Sequence, residues 1–552
     1  MPSIAKLIGG AGTGKTTELM RILSELVDRG VDPFDVGFVS FTRAARAEAA
    51  ERVEREFGTS AEALQASGYF RTLHAICYQA LGGRFGDRLI TETKADRKWL
   101  EESIGEQCSG YGGAGPDEDS DAKFDTEDSN ATAVLRLWSI ARNRLESLAE
   151  TREAALRAGE SIPSIEYCRR IVKSYEAAKR LDDRLDFVDL AGRFCGYKWE
   201  LDDEPSYAGK KEGLTPDIPV WIFDEHQDVS RLLDSVAWRL VESPGTHWVY
   251  ISGDPFQSVY TFSGSDHRCL LDFPCEKYRV MQQSWRCPKA ILEFGEAILR
   301  KCSDYFDREI APMGDAGVLR RAFSVQDFLP MVDDKESWLL LARTNYLTGK
   351  LKACLDSNGI PWDYTRGAGG YVKPRNRLAT SGLSDLAMWR AISSSQWLEI
   401  LRVVPAGRGE NAYLQRGVKT EVVSGNRKPP KSMVTLDTIV DNGGTELLRE
   451  TIISGRWTAL VDGADKFAAA ERRLGRDAAM SPRIRIGTIH SVKGSEADNV
   501  VMLDSLTSQC HRARACVEGR DAENRIAYVG ATRARKRLFV LSQRRDRWRM
   551  EI

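Results

Sequence analysis

Hydrophobic and polar positions along the chain follow two alternating patterns. Short apolar runs of strand type, such as Ser3 to Ile8, Val36 to Phe41 and Pro219 to Phe223, recur along the sequence. Between them lie stretches in which apolar residues return every three or four positions, as in Lys15 to Val27 and Ala44 to Phe57. Strands that alternate with helices in this way predict parallel α/β units.

The same alternation returns in the second half of the chain. Further strand candidates are Trp248 to Ser252, Trp338 to Leu341, Arg485 to Thr488, Val500 to Leu503 and Leu538 to Ser542. A single long helix is expected from Leu383 to Val404. The fold class predicted from the pattern is therefore α/β with parallel sheets.

Two stretches differ from this pattern and are interpreted as insertions. Residues 91–170 are mostly helical around an acidic, glycine-containing segment from Gly105 to Asn130, which is expected to be a loop. Residues 366–480 combine helices with a basic, proline-containing stretch from Arg408 to Lys431. The two insertions leave a first domain of residues 1–90 and 171–272 and a second domain of residues 273–365 and 481–552.

Composition limits the classes of protein to consider. The 552 residues include 79 Lys and Arg against 80 Asp and Glu, which argues against global attraction to nucleic acid, although the arginines between Arg512 and Arg549 leave a local basic surface open. Eleven scattered cysteines and six histidines indicate neither a disulfide framework nor a zinc module. With no apolar run near the ~18 residues of a membrane helix, we expect a cytoplasmic protein that does not use a membrane.

A glycine-rich loop follows the first strand. Residues 9–16 read GGAGTGKT and fit the pattern GxxxxGK[ST] between a strand and a helix. Gly9, Gly12 and Gly14 would let backbone N–H groups surround phosphate oxygens, while Lys15 would reach the β and γ phosphates and Thr16 would join a Mg²⁺ shell. The alternative is a glycine turn with an incidental lysine.

Two acids stand at the end of a later apolar strand. Asp224 suits a Mg²⁺ ligand, and Glu225 is then free to orient or deprotonate an attacking water. The alternative is a strand end that carries two solvated acids. Together with the glycine loop, the pair predicts a site that hydrolyses a nucleoside triphosphate.

A longer series of blocks resembles the superfamily 1 DNA helicases of the UvrD, Rep and PcrA type. The blocks stand in the order of that family and are GGAGTGKT at 9–16, FVSFTRAA at 38–45, TLHA at 72–75, LDFVDL at 185–190, DEHQD at 224–228, GDPFQSVYTFSG at 253–264, QQSWRCP at 282–288, GTIHSVKGSEAD at 487–498 and YVGATRA at 528–534.

The resemblance implies two RecA-like P-loop NTPase domains, each carrying an inserted subdomain, with ATP bound between them. By matched position, Gln257 would sense the γ-phosphate, and Arg286 and Arg533 would approach it as cationic fingers. Trp285 would stack on adenine, Glu496 and Gly494 would lie near the ribose, and Thr17 stands in the nucleotide loop where relatives often have Arg. Read without the family, Trp285 is an ordinary core aromatic, and Arg286 or Arg533 a surface ion-pair partner.

The resemblance also implies a path for a single DNA strand, in which aromatic faces stack on bases without reading sequence. The matched residues are Phe41, Thr42, His74, Tyr260, Phe262 and His490, and Arg43 lies near them in sequence, where it could meet phosphates. Two alternatives remain open: Tyr260 and Phe262 as buried aromatics at strand ends, and His74 as a helix cap.

The function that the sequence predicts is an ATP- and Mg²⁺-dependent DNA helicase or translocase. It would act on single-stranded and tailed duplex DNA, by the family's usual direction 3′ to 5′, as a monomer or weak oligomer in replication or repair. The alternatives are an ATP-gated clamp that binds single strands without unwinding and an RNA-directed enzyme of the same superfamily. Relatives read adenine with a glutamine segment before the loop, whereas eight residues precede Gly9 here, so selectivity for ATP stays open, and Ser263 replaces a usual Arg.

Overall fold

The computed structural model describes residues 2–40, 43–66, 68–83, 85–91, 93–108, 129–201, 206–207, 210–333, 335–367, 369–542 and 546–552. The chain divides into two compact units. The first comprises Met1–Val318, Leu506–Lys536 and Asp546–Ile552, and the second comprises Leu319–Ser505 and Arg537–Arg545. Within the described ranges, no helix is both long and apolar enough to cross a membrane.

The regular elements alternate largely as the pattern predicts. The strands are β1 (Ser3–Gly9), β2 (Val36–Ser40), β3 (Tyr69–Arg71), β4 (Tyr197–Lys198), β5 (Ser206–Tyr207), β6 (Val220–Asp224), β7 (Trp248–Gly253), β8 (Lys277–Met281), β9 (Gln283–Pro288), β10 (Ala311–Met313), β11 (Val318–Ala322), β12 (Trp338–Ala342), β13 (Trp362–Tyr364), β14 (Ile484–Thr488), β15 (Ala497–Leu503) and β16 (Ala534–Leu541).

Helices cover both sheets and form the insertions. They are α1 (Lys15–Asp28), α2 (Arg43–Phe57), α3 (Ala61–Ala66), α4 (Leu73–Ala80), α5 (Lys94–Ile104), α6 (Asn130–Arg144), α7 (Leu148–Arg157), α8 (Ile165–Leu181), α9 (Phe187–Cys195), α10 (Arg231–Val241), α11 (Arg268–Asp272), α12 (Lys289–Leu299), α13 (Asn345–Ser357), α14 (Pro374–Ala387), α15 (Ser394–Val403), α16 (Val418–Val423), α17 (Glu446–Ile453), α18 (Ala464–Leu474), α19 (Arg476–Met480), α20 (Ser508–Ala513) and α21 (Val517–Ala531).

The first unit is built on a six-stranded sheet in the order β3-β2-β6-β7-β1-β8. Its pairs are parallel, and Ser40 lies opposite Asp224 while Ile8 lies opposite Gly253. The residues of the inner strands β2 and β6 are buried on both faces because helices cover each side, whereas the edge strand β8 is largely exposed. In such a sheet the carboxyl ends of the strands share one edge, which brings the glycine loop after β1 and the acids after β6 together.

The sheet extends beyond the domain limit expected at residue 272. The edge strand β8 pairs with β1, with Ala5 opposite Lys277 and Gly9 opposite Met281. The segments 273–318 and 506–536, which the sequence pattern assigned to the second domain, also lie in the first compact unit. The domain limits themselves stay a prediction, since they concern sequence domains and not compact units.

Helices α5 to α8 pack around their own apolar core, which includes Leu100, Trp138 and Ile171. The residues of the acidic segment at 109–128 lie outside the described residues. Behind this core lies a buried ion cluster, defined as Arg142 of α6, Lys179 of α8, and Asp186 and Asp189 at the start of α9.

Each cation of the buried ion cluster contacts both acids. Arg142 donates from Nη2 to Asp186 Oδ2 at 2.7 Å and from Nη1 to Asp189 Oδ1 at 3.1 Å, and Lys179 Nζ lies 3.1 Å and 2.7 Å from the same two carboxylates. Burial alone would raise the pKa of Asp186, but Arg142 and Lys179 hold it well below its usual range. The cluster thus fixes the insertion helices to α9.

The second unit contains a six-stranded sheet in the order β11-β16-β15-β12-β14-β13. Strand β12 pairs in parallel with β14 and β15, and β14 pairs in parallel with β13. One apolar cluster, around Trp338 and Phe539, belongs to this sheet, and another, around Leu383 and Trp397, belongs to the helices of residues 366–480. Together with the first sheet, this arrangement confirms an α/β fold with two parallel sheets.

The single helix expected from Leu383 to Val404 is wrong. Helix α14 ends at Ala387, Trp389 adopts a left-handed φ of 60°, and α15 begins at Ser394. Ser393 starts the new helix because its side chain accepts from the Gln396 N–H, while the Gln396 side chain accepts from the Ser393 N–H. This capping box outweighs the apolar periodicity that runs through the break.

Candidate nucleotide-binding site

The glycine loop has the backbone needed to surround an anion. Gly12 and Gly14 have φ of 69° and 81°, a region that side chains disfavour, and α1 begins directly afterwards at Lys15. A Cβ atom at Gly12 would lie 2.3 Å from Cβ of Arg286, so only glycine fits at that point. The helix N-terminus and the loop N–H groups therefore offer a positive, concave surface to phosphate.

Lys15 and Thr16 lie at the edge of the sheet where strand β6 ends in Asp224. Lys15 Nζ donates to the carbonyl oxygens of Gly9 at 3.1 Å and Gly10 at 3.4 Å, so the ammonium group is held over the loop. Thr16 Oγ1 donates to Asp224 Oδ2 at 2.8 Å. The two residues predicted to hold Mg²⁺ are thus in direct contact.

Asp224 is a buried carboxylate with two hydroxyl partners. Its Oδ1 accepts from Ser252 Oγ at 2.6 Å, and burial, with the neighbouring Glu225, raises its pKa. A carboxylate in that position gains from a cation, and the Thr16 hydroxyl beside it completes an oxygen pair of the kind Mg²⁺ prefers. The donor set therefore fits a Mg²⁺ ion.

Glu225 leaves the strand in a left-handed conformation with φ of 57°, an uncommon state for a residue other than glycine. Its Oε2 accepts from Gln227 Nε2 at 2.5 Å, and Oε1 of the same Gln227 accepts from the Asp254 N–H at 3.0 Å. The turn and the amide together set the direction of the carboxylate. Strained backbone of this kind is concentrated at functional sites.

Gln257 and Arg533 meet although 276 positions separate them in sequence. Arg533 Nη2 donates to Gln257 Oε1 at 3.2 Å. Arg533 is 1% exposed, which excludes its interpretation as a surface ion-pair partner. Burial and the charge of Arg286 lower the pKa of Arg533 to about 10, so the guanidinium remains charged at neutral pH.

Trp285 stands beside the start of α1. The backbone N–H of Trp285 donates to the Gly12 carbonyl at 2.8 Å. The indole ring lies 3.8 Å from the position that a Cβ atom at Gly14 would take. The side chain is 71% exposed, which excludes a core aromatic and leaves a ring face open. Thr17 is exposed on the first turn of the same helix.

Family models match both halves of this arrangement. The UvrD/REP helicase N-terminal domain matches residues 3–277, and the UvrD-like helicase C-terminal domain matches residues 466–545. Together they account for more than half of the chain. The chain belongs to the UvrD-like helicase family.

Curated relatives in this family are proteins named ATP-dependent DNA helicase PcrA. The protein of Bacillus subtilis strain 168 is 26% identical over 318 residues, which is 56% of this chain and 39% of the relative. The protein of Staphylococcus aureus strain Mu50 is 24% identical over 303 residues, or 54% of this chain and 38% of the relative. The match therefore spans about two fifths of the relatives' length.

The residues that the UvrD-like family suggests for the DNA path lie in several different settings. Phe41 and Thr42 lie outside the described residues, and Arg43 begins α2 with a side chain that is likewise outside them. His74 follows the N-cap Thr72 in α4, and its ring lies 5.8 Å from that of Phe187. Thr72 and not His74 therefore caps the helix.

Tyr260 and Phe262 pack edge to face with ring centroids 5.9 Å apart. Tyr260 is 7% exposed, while Phe262 is half-buried. His490 is buried at the start of a short turn, His490–Val492, and Gly494 adopts a φ of 82° two residues before Glu496. His490, Gly494 and Glu496 belong to the second unit.

The candidate nucleotide site, here called the nucleotide cluster, consists of Lys15, Thr16, Asp224, Glu225, Gln257, Arg533 and the residues that contact them. Several of these contacting residues had no role assigned from the sequence. Tyr528, Asp254 and Ser252 lie in or next to blocks shared with the UvrD-like family, so a signal was present without an assigned role. Arg308 lies outside every block, yet its guanidinium is buried and donates to Asp254 Oδ1 and Glu296 Oε1, each at 2.6 Å. No sequence pattern could have found Arg308, since its partners are defined only by the fold.

Proposed function

We propose that the chain is an ATP-hydrolysing DNA helicase that moves along single-stranded DNA and unwinds duplexes. The observation that carries the proposal is that Lys15, Thr16 and Asp224 lie at one glycine loop, to which Gln257 and Arg533 are connected through Asp254 and Tyr528. A phosphate-binding loop, an acid pair and buried arginines are the parts that phosphoryl transfer requires.

The residues have separable roles in ATP hydrolysis. Lys15 and the loop N–H groups would bind the triphosphate, and Thr16 with Asp224 would hold Mg²⁺, which neutralises phosphate charge when bound. Glu225, oriented by Gln227, would position the attacking water and take its proton. Arg286 and Arg533 would stabilise the charge of the transferring phosphoryl group.

Trp285 supports a nucleoside triphosphate over a simple phosphate ligand. Its exposed indole beside the helix N-terminus offers a stacking face for a base. Stacking alone does not read the edge of a base, so we expect modest discrimination between purine nucleotides. Comparing turnover of ATP and GTP at subsaturating concentrations measures this.

Movement of the protein along DNA would follow if ATP hydrolysis changes how its aromatic residues hold the strand. Tyr260 and Phe262 lie three and five residues after Gln257, so a change at the γ-phosphate sensor is passed along a short, largely buried segment. We propose 3′ to 5′ movement, which is the usual direction of the family to which the chain belongs. The curated relatives are named ATP-dependent DNA helicases, which supports DNA as the substrate.

The test is strand displacement on matched duplexes with a 3′ or a 5′ single-stranded tail, with ATP and Mg²⁺. We expect release of the labelled strand from the 3′-tailed substrate and ATP turnover that rises with DNA. Turnover stimulated by DNA without strand release would instead indicate a clamp. Stimulation by RNA oligomers above that by DNA would indicate an RNA-directed enzyme.

A further inference from the structure

We propose that Tyr528 is a positioning residue that couples the phosphate loop to Gln257 and Arg533. This inference rests on the proposed function, since it assigns a role within the same ATP site. The geometry points to a continuous series of buried hydrogen bonds, here called the Tyr528 relay, that runs from the loop backbone through Tyr528 and Asp254 to Gln257 and Arg533.

The first link joins Tyr528 to the glycine loop. Tyr528 lies in α21 and is fully buried, and its Oη accepts a hydrogen bond from the Ala11 N–H at 3.1 Å. A Cβ atom at Gly10 would lie 3.3 Å from the same oxygen and 2.2 Å from the side chain of Ile310, so the approach depends on glycine. The hydroxyl thus contacts the loop that would hold phosphate.

The second link joins Tyr528 to the γ-phosphate sensor. Tyr528 Oη donates to Asp254 Oδ2 at 3.4 Å, and the same Oδ2 accepts from Gln257 Nε2 at 2.8 Å. Gln257 Oε1 in turn accepts from Arg533 Nη2. Three side chains, those of Tyr528, Asp254 and Gln257, therefore connect the loop to the candidate arginine finger Arg533.

Asp254 is held in place by hydrogen bonds from residues outside the Tyr528 relay. It is fully buried, and Arg308 and the Phe256 N–H, at 2.6 Å and 3.1 Å, both donate to its Oδ1, which leaves Oδ2 for Tyr528 and Gln257. Its own N–H donates to Gln227, the residue that orients Glu225. The candidate base, the sensor and the finger are thus all connected to one residue, Asp254, through its backbone N–H or its carboxylate.

A phenol is suited to the central position because it donates and accepts at once. It accepts from the loop and donates to the acid, which phenylalanine cannot do although it fills nearly the same space. Buried hydrogen-bonding groups are costly to leave unpaired, so a shift of the Ala11 N–H must be followed by Tyr528 and Asp254. A phosphate that reshapes the loop would in this way reposition Gln257 and Arg533.

The experiment compares Tyr528→Phe with Tyr175→Phe in the full chain. Tyr175 is a matched control, because its buried hydroxyl also donates to a carboxylate, that of Asp186 at 2.9 Å, in a different part of the first unit. We expect Tyr528→Phe to lower kcat for ATP about tenfold with KM changed less than about threefold, and Tyr175→Phe to leave both near wild type.

A double variant tests whether Tyr528 acts through Gln257. If the relay operates, Tyr528→Phe combined with Gln257→Ala turns over within about twofold of Gln257→Ala alone, because the second change removes the group that the first one positions. Multiplicative losses would overturn the proposal. An unchanged kcat in Tyr528→Phe would also overturn it.

Hydrogen exchange supplies a readout that does not need turnover. We expect a non-hydrolysable ATP analogue to protect peptides of residues 517–531 in wild type and in Tyr175→Phe, and to protect them less in Tyr528→Phe. Equal protection in all three proteins would contradict the relay. If wild type neither hydrolyses ATP nor responds to DNA, the proposed function fails, and the relay is then judged by exchange alone.

Discussion

The nucleotide cluster and the candidate DNA path hold their side chains by different means. In the nucleotide cluster, Lys15, Thr16, Asp224 and Gln257 each have a hydrogen-bond partner within the site. Along the DNA path, His74, Tyr260 and Phe262 are held by contacts between aromatic rings. The first region is a network of polar contacts, whereas contacts between aromatic rings are a feature of the second.

The difference corresponds to what each region has to recognise. A triphosphate presents charge at defined points, so dipoles fixed in advance stabilise it without reorganisation. A DNA strand of any sequence presents flat base faces, which aromatic rings contact with little directional demand. We therefore expect changes in the polar network to act mainly on kcat, and changes in the aromatic path to act mainly on DNA affinity.

The largest expected effect is that of Lys15→Ala. Loss of the ammonium group removes a charge that would bind and stabilise the triphosphate, so turnover should fall at least about 100-fold. Steady-state ATP hydrolysis with saturating single-stranded DNA measures it, while DNA binding without nucleotide serves as the internal control. Hydrolysis near the wild-type rate would show that the polar network is not the ATP site.

Glu225→Gln is expected to separate binding from chemistry. The amide keeps the shape and a hydrogen bond to Gln227 but cannot take a proton, so ATP should still bind while turnover falls about 100-fold. Fluorescent nucleotide binding and single-turnover hydrolysis together check this, with the exposed Glu242→Gln as the control. Equal turnover in both variants would remove Glu225 from its proposed role.

Phe262→Ala should affect the other region. Removal of a stacking ring costs about 1–3 kcal/mol per base, so the DNA concentration for half-maximal stimulation should rise about tenfold, more than turnover at saturating DNA falls. The control is Phe323→Ala, which removes the same ring at an exposed position. If instead Phe262→Ala lowers only the maximal rate, the aromatic pair belongs to catalysis and not to DNA grip.

The smallest expected effect concerns Asp96, in the helical insertion of residues 91–170. Burial alone would raise the pKa of Asp96, but hydrogen bonds from the Thr91 N–H, Arg184 and Thr93 lower it to about 2. Since the pKa of the folded state lies below that of the unfolded chain, this stability is present above about pH 4 and is lost as pH falls toward 2.

Asp96→Asn should therefore lower the free energy of unfolding by roughly 1–2 kcal/mol at pH 7 and flatten its fall below pH 4. Thermal unfolding between pH 2 and 7 measures both effects. The exposed Asp437→Asn, 76% accessible at its side chain, should keep the wild-type profile. Parallel profiles for wild type and Asp96→Asn would assign the acid sensitivity elsewhere.

Local chemistry explains which features could be predicted. Strands such as Val220–Asp224 and the loop before Lys15 were found within one or two residues, because apolar runs and glycines act over short distances. Thr16 and Asp224, both assigned to Mg²⁺ from the sequence, lie in contact. Family blocks added Gln257 and Arg533, whose meeting 276 positions apart no periodicity indicates.

Features set by distant partners could not be predicted. Arg308 has its carboxylate partner 54 positions away, and Tyr528 meets Ala11 across 517 positions. The helix break at Trp389 was missed because a capping box at Ser393 outweighs apolar periodicity. For Arg308 and Tyr528 the missing information is a pairing of distant residues, which a single sequence does not report, whereas the capping box is a local pattern that the apolar periodicity concealed.

The buried ion cluster of Arg142, Lys179, Asp186 and Asp189 has a consequence for exchanging parts between homologous chains. Its cations come from helices α6 and α8, whereas its acids start α9, so a graft that replaces only the helices leaves carboxylates without counter-ions inside the protein. Leaving one such charge buried without its ion-pair partner costs about 3–5 kcal/mol, a large part of a domain's free energy of unfolding. Functional chimeras of this chain therefore require donors that carry both halves of the cluster, or apolar residues at all four positions.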